Sequence, residues 1–231
     1  LVEILGNTAQ ISHMGSDDFY ILVDGDPDRY TLETMAAFIC SEITRPLAVD
    51  EKEIFASCTI GICLYPDNAK DRVELMQHTD TAIYHAKSTD PGGFVFYAEH
   101  LSQQAERRLD VERHLRRAVE RNELFLLYQP KVNLKSRKII GCEALIRWKS
   151  NDLGDVYPDE FIPISERSGI IIEIGQWVLD EACRQGQLWI KAGLGNLSMA
   201  INVSAVQFQQ GDVEKRILKA LKESGYPANR L

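Results

Sequence analysis

The segment from Ile139 to Trp148 combines an acid and a base in what reads as a buried β-strand. Within it, Glu143, Leu145 and Arg147 are spaced two apart, and alternate residues of a strand point to the same face. A buried strand normally excludes unpaired charges because each costs several kcal/mol. The pattern therefore predicts a site for an ion or an anionic ligand. The alternative is a buried ion pair between Glu143 and Arg147.

The composition is that of a globular protein. A chain of 231 residues fits one large or two modest domains, and its apolar and charged content argues against disordered and fibrous classes. No apolar run approaches the ~20 residues that span a bilayer, and no signal peptide is visible. We expect a cytoplasmic protein. Because the chain begins without Met inside a helix-like segment, we also expect it to be a piece of a longer protein.

The net charge of −8 is unevenly spread. Residues 1–100 hold 6 basic and 17 acidic side chains, whereas residues 101–231 hold 20 and 17. This asymmetry favours two domains, and the acidic balance argues against binding to a DNA or RNA polymer. A solvated surface explains the same bias. The 5 cysteines have no close ligand spacing, which indicates reduced thiols rather than a zinc site.

The first hundred residues alternate between strand and helix patterns, which predicts an α/β or α+β unit. The predicted elements are a hairpin over 11–23, a helix over 31–45, a strand over 54–64, a helix over 73–87 and a short strand over 94–97. A charged helix over 101–122 follows, with four arginines near its end. That helix is either a solvated connection or an element that relays motion or dimerises.

The remaining residues read as two strands followed by helix, strand and helix. The predicted bounds are 124–132 and 139–148 for the strands, 170–192 for the helix, 198–203 for the next strand and 213–224 for the last helix. This order predicts parallel strands with helical crossovers. Polar residues at the ends of successive strands are typical of a (β/α) barrel site.

The order of these motifs resembles a GGDEF domain followed by an EAL domain, the bacterial tandem that makes and breaks cyclic di-GMP. Three segments resemble the GGDEF pattern, and they are Met14 to Phe19, Cys58 to Pro66 and Asp80 to Lys87. The segments that resemble the EAL pattern are Tyr128-Gln129-Pro130, Glu143 to Trp148, Phe161-Ile162-Pro163, Ser168-Gly169, Trp177-Val178-Leu179 and Asn202-Val203-Ser204 with Gln207-Phe208.

The resemblance implies a fold class and a set of domains. We expect an α/β protein in which an α+β nucleotidyl-cyclase-like GGDEF domain (C-terminal part) is linked by a helix to a (β/α) TIM-barrel-like EAL domain (N-terminal part). The expected bounds are 1–100 for a degenerate, N-terminally truncated GGDEF domain, 101–122 for the connecting helix and 123–231 for a C-terminally truncated EAL domain.

The turn Gly15-Ser16-Asp17-Asp18 departs from the Gly-Gly-Asp-Glu pattern. Ser16 adds a Cβ where a glycine's freedom matters, and Asp18 is one methylene shorter than Glu. The inhibitory Arg-x-x-Asp of the family corresponds here to Gly6-Asn7-Thr8-Ala9, so that product site is predicted to be absent. We expect a catalytically inactive unit. Its acidic turn either binds GTP in a regulatory role through Asp17 and Asp18 or is simply an acidic hairpin tip.

The EAL pattern implies a metal-dependent phosphodiesterase that opens cyclic di-GMP to linear pGpG. By resemblance, Glu143 is the catalytic carboxylate and binds Mg²⁺ or Mn²⁺ together with Asn202, Arg147 grips a substrate phosphate, and Gln129 and Leu145 seat the dinucleotide. For Asn202 a strand-end cap is the alternative. The remaining ligands of the family are expected beyond Leu231, so this chain alone is expected to be inactive. A non-catalytic cyclic di-GMP receptor, a cyclase and a homodimer remain open.

Overall fold

The computed structural model describes residues 1–6, 8–49, 52–194, 197–209 and 211–231, which form two compact units, Leu1–Ala105 and Glu106–Leu231. Asn7, part of the stretch compared with the inhibitory motif, lies outside the described residues. None of the described helices is long and apolar enough to cross a bilayer. The elements of the first unit are α1 (Val2–Leu5), β1 (Gln10–Gly15), β2 (Asp18–Leu22), α2 (Arg29–Ile43), β3 (Leu47–Val49), β4 (Lys52–Ile54), β5 (Ile60–Ile62), α3 (Arg72–Thr89), β6 (Phe94–Phe96) and the start of α4 (Glu99–Leu115).

The described strands of the first unit pair in three two-stranded sheets. The pairs β1–β2 and β3–β4 are antiparallel, and β5–β6 is parallel. Helix α3 lies on β5 so closely that a Cβ at Gly61 would come within 2.4 Å of the backbone nitrogen of Ile83. Glycine is therefore the residue that lets this helix approach this strand.

One predicted strand of the first unit is wrong, and the end of α4 differs from its prediction. The segment 54–64 contains the end of β4 and all of β5, which belong to different sheets, so the backbone leaves strand geometry between them. Helix α4 ends at Leu115 rather than at residue 122. The turns that follow finish at Asn122 with φ of 54°, where the amides of Asn122 and Glu123 donate to the carbonyls of Val119 and Ala118. This is a Schellman-type ending.

The second unit begins within α4. Its further elements are β7 (Leu124–Val132), β8 (Ile139–Ser150), β9 (Gly154–Val156), α5 (Pro158–Ser168), α6 (Ile171–Lys191), β10 (Ser198–Ile201), α7 (Ala205–Gln209), α8 (Val213–Ser224) and a 3-10 turn (Ala228–Arg230). Helix α5 was missed in the sequence, although Pro158 at its first position, Phe161 and Ile164 at helical spacing and Gly169 in the left-handed region after it are helix signals.

The sheet of the second unit has the strand order β10-β8-β7, with β9 also paired to β8. Strand β8 is parallel to β10 but antiparallel to β7 and β9. The expectation of parallel strands with helical crossovers therefore fails for β7 and β8. The connection over residues 133–138 is too short for a parallel crossover, which needs a dozen or more residues. The described strands of this unit form an open sheet, so the structure does not show the TIM barrel of which this unit was expected to be the N-terminal part.

Helices cover one face of this sheet. Trp148 of β8 is 2% exposed and packs edge-on against Phe161 of α5, with ring centroids 5.8 Å apart. Cys142 and Ala144 of the same strand are buried in a cluster with Cys183 of α6. All five cysteines are free. Because the even-numbered residues of β8 form the core, its odd-numbered residues must face the other side of the sheet.

Candidate functional site

The candidate site lies on the sheet face opposite these helices. Glu143, Leu145 and Arg147 of β8 are half-buried there, whereas their neighbours Ala144 and Trp148 are buried. The strand can hold charged side chains because only one of its faces is packed into the described core. The structure therefore places all three residues on one face of the sheet, as their spacing predicted.

Strand β7 supplies the second side of the site. In the antiparallel register Gln129 lies opposite Glu143, and Leu127 lies opposite Leu145. Gln129 is exposed on the same face as Glu143. A carboxamide thus stands beside the carboxylate, where it can offer both a donor and an acceptor to a ligand.

Strand β10 brings Asn202 to Glu143. Ala200 is aligned with Glu143 in the parallel register. Asn202 comes two residues after Ala200, directly after the last residue of the strand. The Nδ2 of Asn202 donates a hydrogen bond of 2.8 Å to Oε1 of Glu143. A carboxylate and a carboxamide from neighbouring strands, 59 residues apart in sequence, therefore meet on one face.

Lys131 of β7 contacts the other carboxylate oxygen and was not identified from the sequence. Its Nζ lies 3.7 Å from Oε2 of Glu143, and both side chains are partly exposed. Lys131 is two residues after Gln129 and so shares its face. The antiparallel pairing of β7 with β8, which differs from the predicted parallel order, brings this ammonium group to the carboxylate.

Arg147 is not paired with Glu143. Its Nη1 donates to the backbone carbonyl of Ile146 at 2.7 Å, and within the described part of the chain it makes no ion pair. The ion-pair alternative for Glu143 and Arg147 is therefore wrong. The guanidinium keeps donors with which it can bind an anion, such as a phosphodiester, in a forked geometry.

The donor set fits a hard divalent cation in part. Carboxylate and carboxamide oxygens are the ligands that Mg²⁺ and Mn²⁺ prefer, and Glu143 and Asn202 offer one of each after rotation of the amide. In the ranges that the structure describes, no three His, Cys, Asp or Glu side chains converge as a metal site would require. These residues provide two ligands rather than a full coordination shell.

The acidic turn of the first unit is a strained hairpin tip. Gly15 has φ of 104° and Ser16 has φ of 53°, in the left-handed region that a side chain disfavours. The Ser16 hydroxyl donates to Oδ1 of Asp17 at 3.0 Å, which lowers the pKa of that fully exposed carboxyl group. Asp18 is exposed at the start of β2. The turn can present acids to solvent, and its second residue pays a conformational cost that a glycine avoids.

Strand β2 of the same hairpin contacts α3. The Tyr20 hydroxyl donates to Oδ1 of Asp80 at 2.8 Å, and this hydrogen bond raises the pKa of Tyr20. His13 stacks on Phe19 across β1 and β2, with ring centroids 4.6 Å apart. These contacts hold the hairpin in register behind its acidic turn.

Comparison with known proteins agrees with the motifs. The sequence model of the EAL domain matches residues 112–231, and that of the diguanylate cyclase GGDEF domain matches residues 1–91. The chain is 37% identical over 211 residues to the bifunctional diguanylate cyclase/cyclic di-GMP phosphodiesterase MucR of Pseudomonas aeruginosa, covering 91% of this chain and 31% of that protein. It is 30% identical over 226 residues to the cyclic di-GMP phosphodiesterase PdeR of Escherichia coli, covering 98% and 34%.

Solved structures give the same likeness for part of the chain. The PaMucR phosphodiesterase in complex with c-di-GMP superposes with a TM-score of 0.51 and 40% identity over 53% of this chain and 49% of that one. The EAL enzyme Bd1971 in its cGMP-bound form gives a TM-score of 0.50 and 27% identity over 71% and 42%. The chain spans about a third of the length of the curated relatives it matches.

These matches show the family of the chain. The chain belongs to the EAL domain family and carries a GGDEF domain ahead of it. The fold-class prediction needs one further correction, which concerns domain order. It described the GGDEF part as C-terminal and the EAL part as N-terminal. Along this chain the GGDEF match comes first, at 1–91, and the EAL match comes second, at 112–231.

Proposed function

We propose that the full-length protein hydrolyses cyclic di-GMP to linear pGpG through its EAL domain, with a GGDEF domain that is inactive or regulatory. The observation that carries the proposal is the 2.8 Å contact between Asn202 and Glu143, on the sheet face that also bears Arg147. The names of MucR and PdeR, and the c-di-GMP bound to PaMucR, support this substrate.

Each residue has a distinct role in the proposed mechanism. Glu143 and Asn202 would hold Mg²⁺ or Mn²⁺ through their side-chain oxygens. When bound, the cation supplies positive charge for the phosphodiester oxygens and lowers the pKa of water. Arg147 donates to a phosphate, and Gln129 and Leu145 orient the dinucleotide, one through its amide and the other through apolar contact.

The proposal also covers the organisation of the protein. We infer a degenerate GGDEF domain over 1–100, a connecting segment over 101–122 and an EAL domain over 123–231, in a cytoplasmic protein. Ser16 with its positive φ and the shortened Asp18 argue against cyclase activity. GTP binding at Asp17 and Asp18 and a homodimer are secondary parts of this proposal. Titration of the full-length protein with GTP tests the first, and light scattering of the same protein tests the second.

A receptor that binds cyclic di-GMP without cutting it is the second candidate. It is favoured by one observation, that Arg147 makes no ion pair among the described residues and lies on the sheet face that also bears Gln129. Binding through Arg147 and Gln129 would need no hydrolytic water. The two candidates differ in whether pGpG is formed.

The test is hydrolysis of cyclic di-GMP by the full-length protein in Mg²⁺ or Mn²⁺, followed by separation of the nucleotides. Glu143→Gln should lower kcat at least ~100-fold, because losing even an outer-shell partner of a metal costs about 10–100-fold. The matched control is Glu181→Gln, which makes the same change where Glu181 pairs with Arg184 on α6. Equal rates for wild type and Glu143→Gln would refute the site. Tight binding of cyclic di-GMP without any pGpG would favour the receptor.

A further inference from the structure

The chain is fixed in place immediately after the strand that delivers Asn202. Ser204 precedes α7, and its Oγ accepts a hydrogen bond of 3.2 Å from the amide of Val206. The Oε1 of Gln207 accepts one of 2.9 Å from the amide of Ser204. This reciprocal arrangement is a capping box, in which the backbone amides of Ser204 and Val206 both have hydrogen-bond acceptors. It restrains the backbone two residues after Asn202.

The capping serine is also tied to another helix. Its hydroxyl donates to Oε1 of Glu166 on α5 at 2.5 Å, across 38 residues of sequence. The contact is partly buried and the acceptor is a carboxylate, which makes it stronger than a hydrogen bond between neutral groups. Ser204 thus uses its hydroxyl as donor and acceptor at once, and joins the end of β10 to α5.

Gly175 of α6 leaves space for the side chain of Gln207. A Cβ at Gly175 would collide with the side-chain amide of Gln207, so a glycine on α6 lets Gln207 reach the capping position. Residues of α5, α6 and α7 therefore pack around the turn that follows Asn202. Asn202 itself is exposed, and the bond from its Nδ2 to Glu143 is the side-chain hydrogen bond that the structure gives it.

We propose that Ser204 and Glu166 form a positioning pair that aims Asn202 at Glu143. The inference rests on the proposed metal site and deepens it, because it names residues that touch neither metal nor substrate. An exposed asparagine on a free strand end would sample many directions, whereas the Glu166–Ser204 bond restrains the backbone that carries it. Loss of the pair weakens cation binding while the dinucleotide contacts of Arg147 and Gln129 remain.

The test is calorimetric titration of the full-length protein with Mn²⁺, in parallel with hydrolysis of cyclic di-GMP. Ser204→Ala should raise the Mn²⁺ dissociation constant about 10–100-fold, the usual cost of losing an outer-shell partner. The KM for cyclic di-GMP should stay at the wild-type value. Ser204→Thr retains the hydroxyl and should bind Mn²⁺ like the wild type. The control Ser224→Ala removes a similar hydroxyl, which donates to Ala220 on α8, and should change nothing.

A second variant covers the case in which Ser204→Ala does not fold. Glu166→Gln keeps an acceptor but removes its charge, and should weaken Mn²⁺ binding in the same direction by a smaller factor. Wild-type Mn²⁺ affinity in Ser204→Ala or in Glu166→Gln would overturn the pair, as would a wild-type protein that binds no Mn²⁺. Mn²⁺ binding that responds to Ser204 in a protein that forms no pGpG would support the pair and refute the proposed hydrolysis.

Discussion

Lys131 places a positive charge beside the carboxylate that would bind the cation. Its Nζ is 3.7 Å from Oε2 of Glu143, while Asn202 contacts Oε1. A cation bound to Glu143 must therefore either displace the ammonium group or tolerate it nearby. We expect Lys131→Met to tighten binding of Mn²⁺, because methionine keeps an unbranched apolar side chain and removes the charge.

The magnitude follows from distance and exposure. Two unit charges ~4 Å apart interact by about 1 kcal/mol in water, and a divalent ion doubles this repulsion. The side chain of Lys131 is 45% exposed and can swing away, which relieves part of it. A net effect of about 1 kcal/mol remains, equivalent to ~5-fold in the dissociation constant. Because screening by salt acts on exposed charges, the difference should shrink as ionic strength rises.

The assay is calorimetric titration of wild type and variant with Mn²⁺ at low and high salt. Lys149→Met is the matched control, because Lys149 lies on the same strand as Glu143 but six positions further along. It should leave the affinity unchanged. Unchanged or weaker Mn²⁺ binding in Lys131→Met would refute the reasoning and would place the cation away from Glu143.

Two further predictions concern strain and buried polar groups. Ser16→Gly should give the β1–β2 hairpin a free energy of local opening about 1 kcal/mol higher than Ser16→Ala does, measured by amide hydrogen exchange. Both variants lose the hydroxyl, but only glycine relieves the φ of 53° at this position. Equal exchange in the two variants would contradict the strain. Glu123 is buried and accepts from Trp148 Nε1 at 3.0 Å and Asn151 Nδ2 at 2.9 Å. Glu123→Leu should cost about 2–4 kcal/mol in urea unfolding followed by tryptophan fluorescence, whereas Glu123→Gln keeps an acceptor and should cost less; equal losses would show that the hydrogen bonds are not responsible.

Local patterns predicted the elements whose signals are complete within one segment. The bounds of β7 and α8 are confirmed, and the hairpin of β1 and β2 lies within one residue of its predicted range. Alternation along β8 correctly grouped Glu143 with Arg147 on one face. The antiparallel direction of β7 and β8 was also predictable from the sequence, because the connection over residues 133–138 is too short for a parallel crossover. The order of strands and helices alone led to the wrong expectation.

The partners of the site residues depended on tertiary structure. The contact of Lys131 with Glu143 requires the β7–β8 register. The contact of Glu166 with Ser204 requires α5, a helix that was not among the predicted elements. The spacing Ser204-x-x-Gln207 was nevertheless visible as a capping-box signal before a helix. Local signals of this kind indicate where a turn is fixed, but they do not identify the helix against which it is fixed.

The central claim is that Glu143 and Asn202 hold one cation together, and a double-mutant cycle on Mn²⁺ affinity tests it most directly. Glu143→Gln, Asn202→Ala and the double variant of the full-length protein should be titrated under identical conditions. If both residues bind one ion, the double variant should lose much less affinity than the two single losses combined, because either change alone already disables the site. Fully additive losses, or single variants that bind Mn²⁺ like the wild type, would contradict the account.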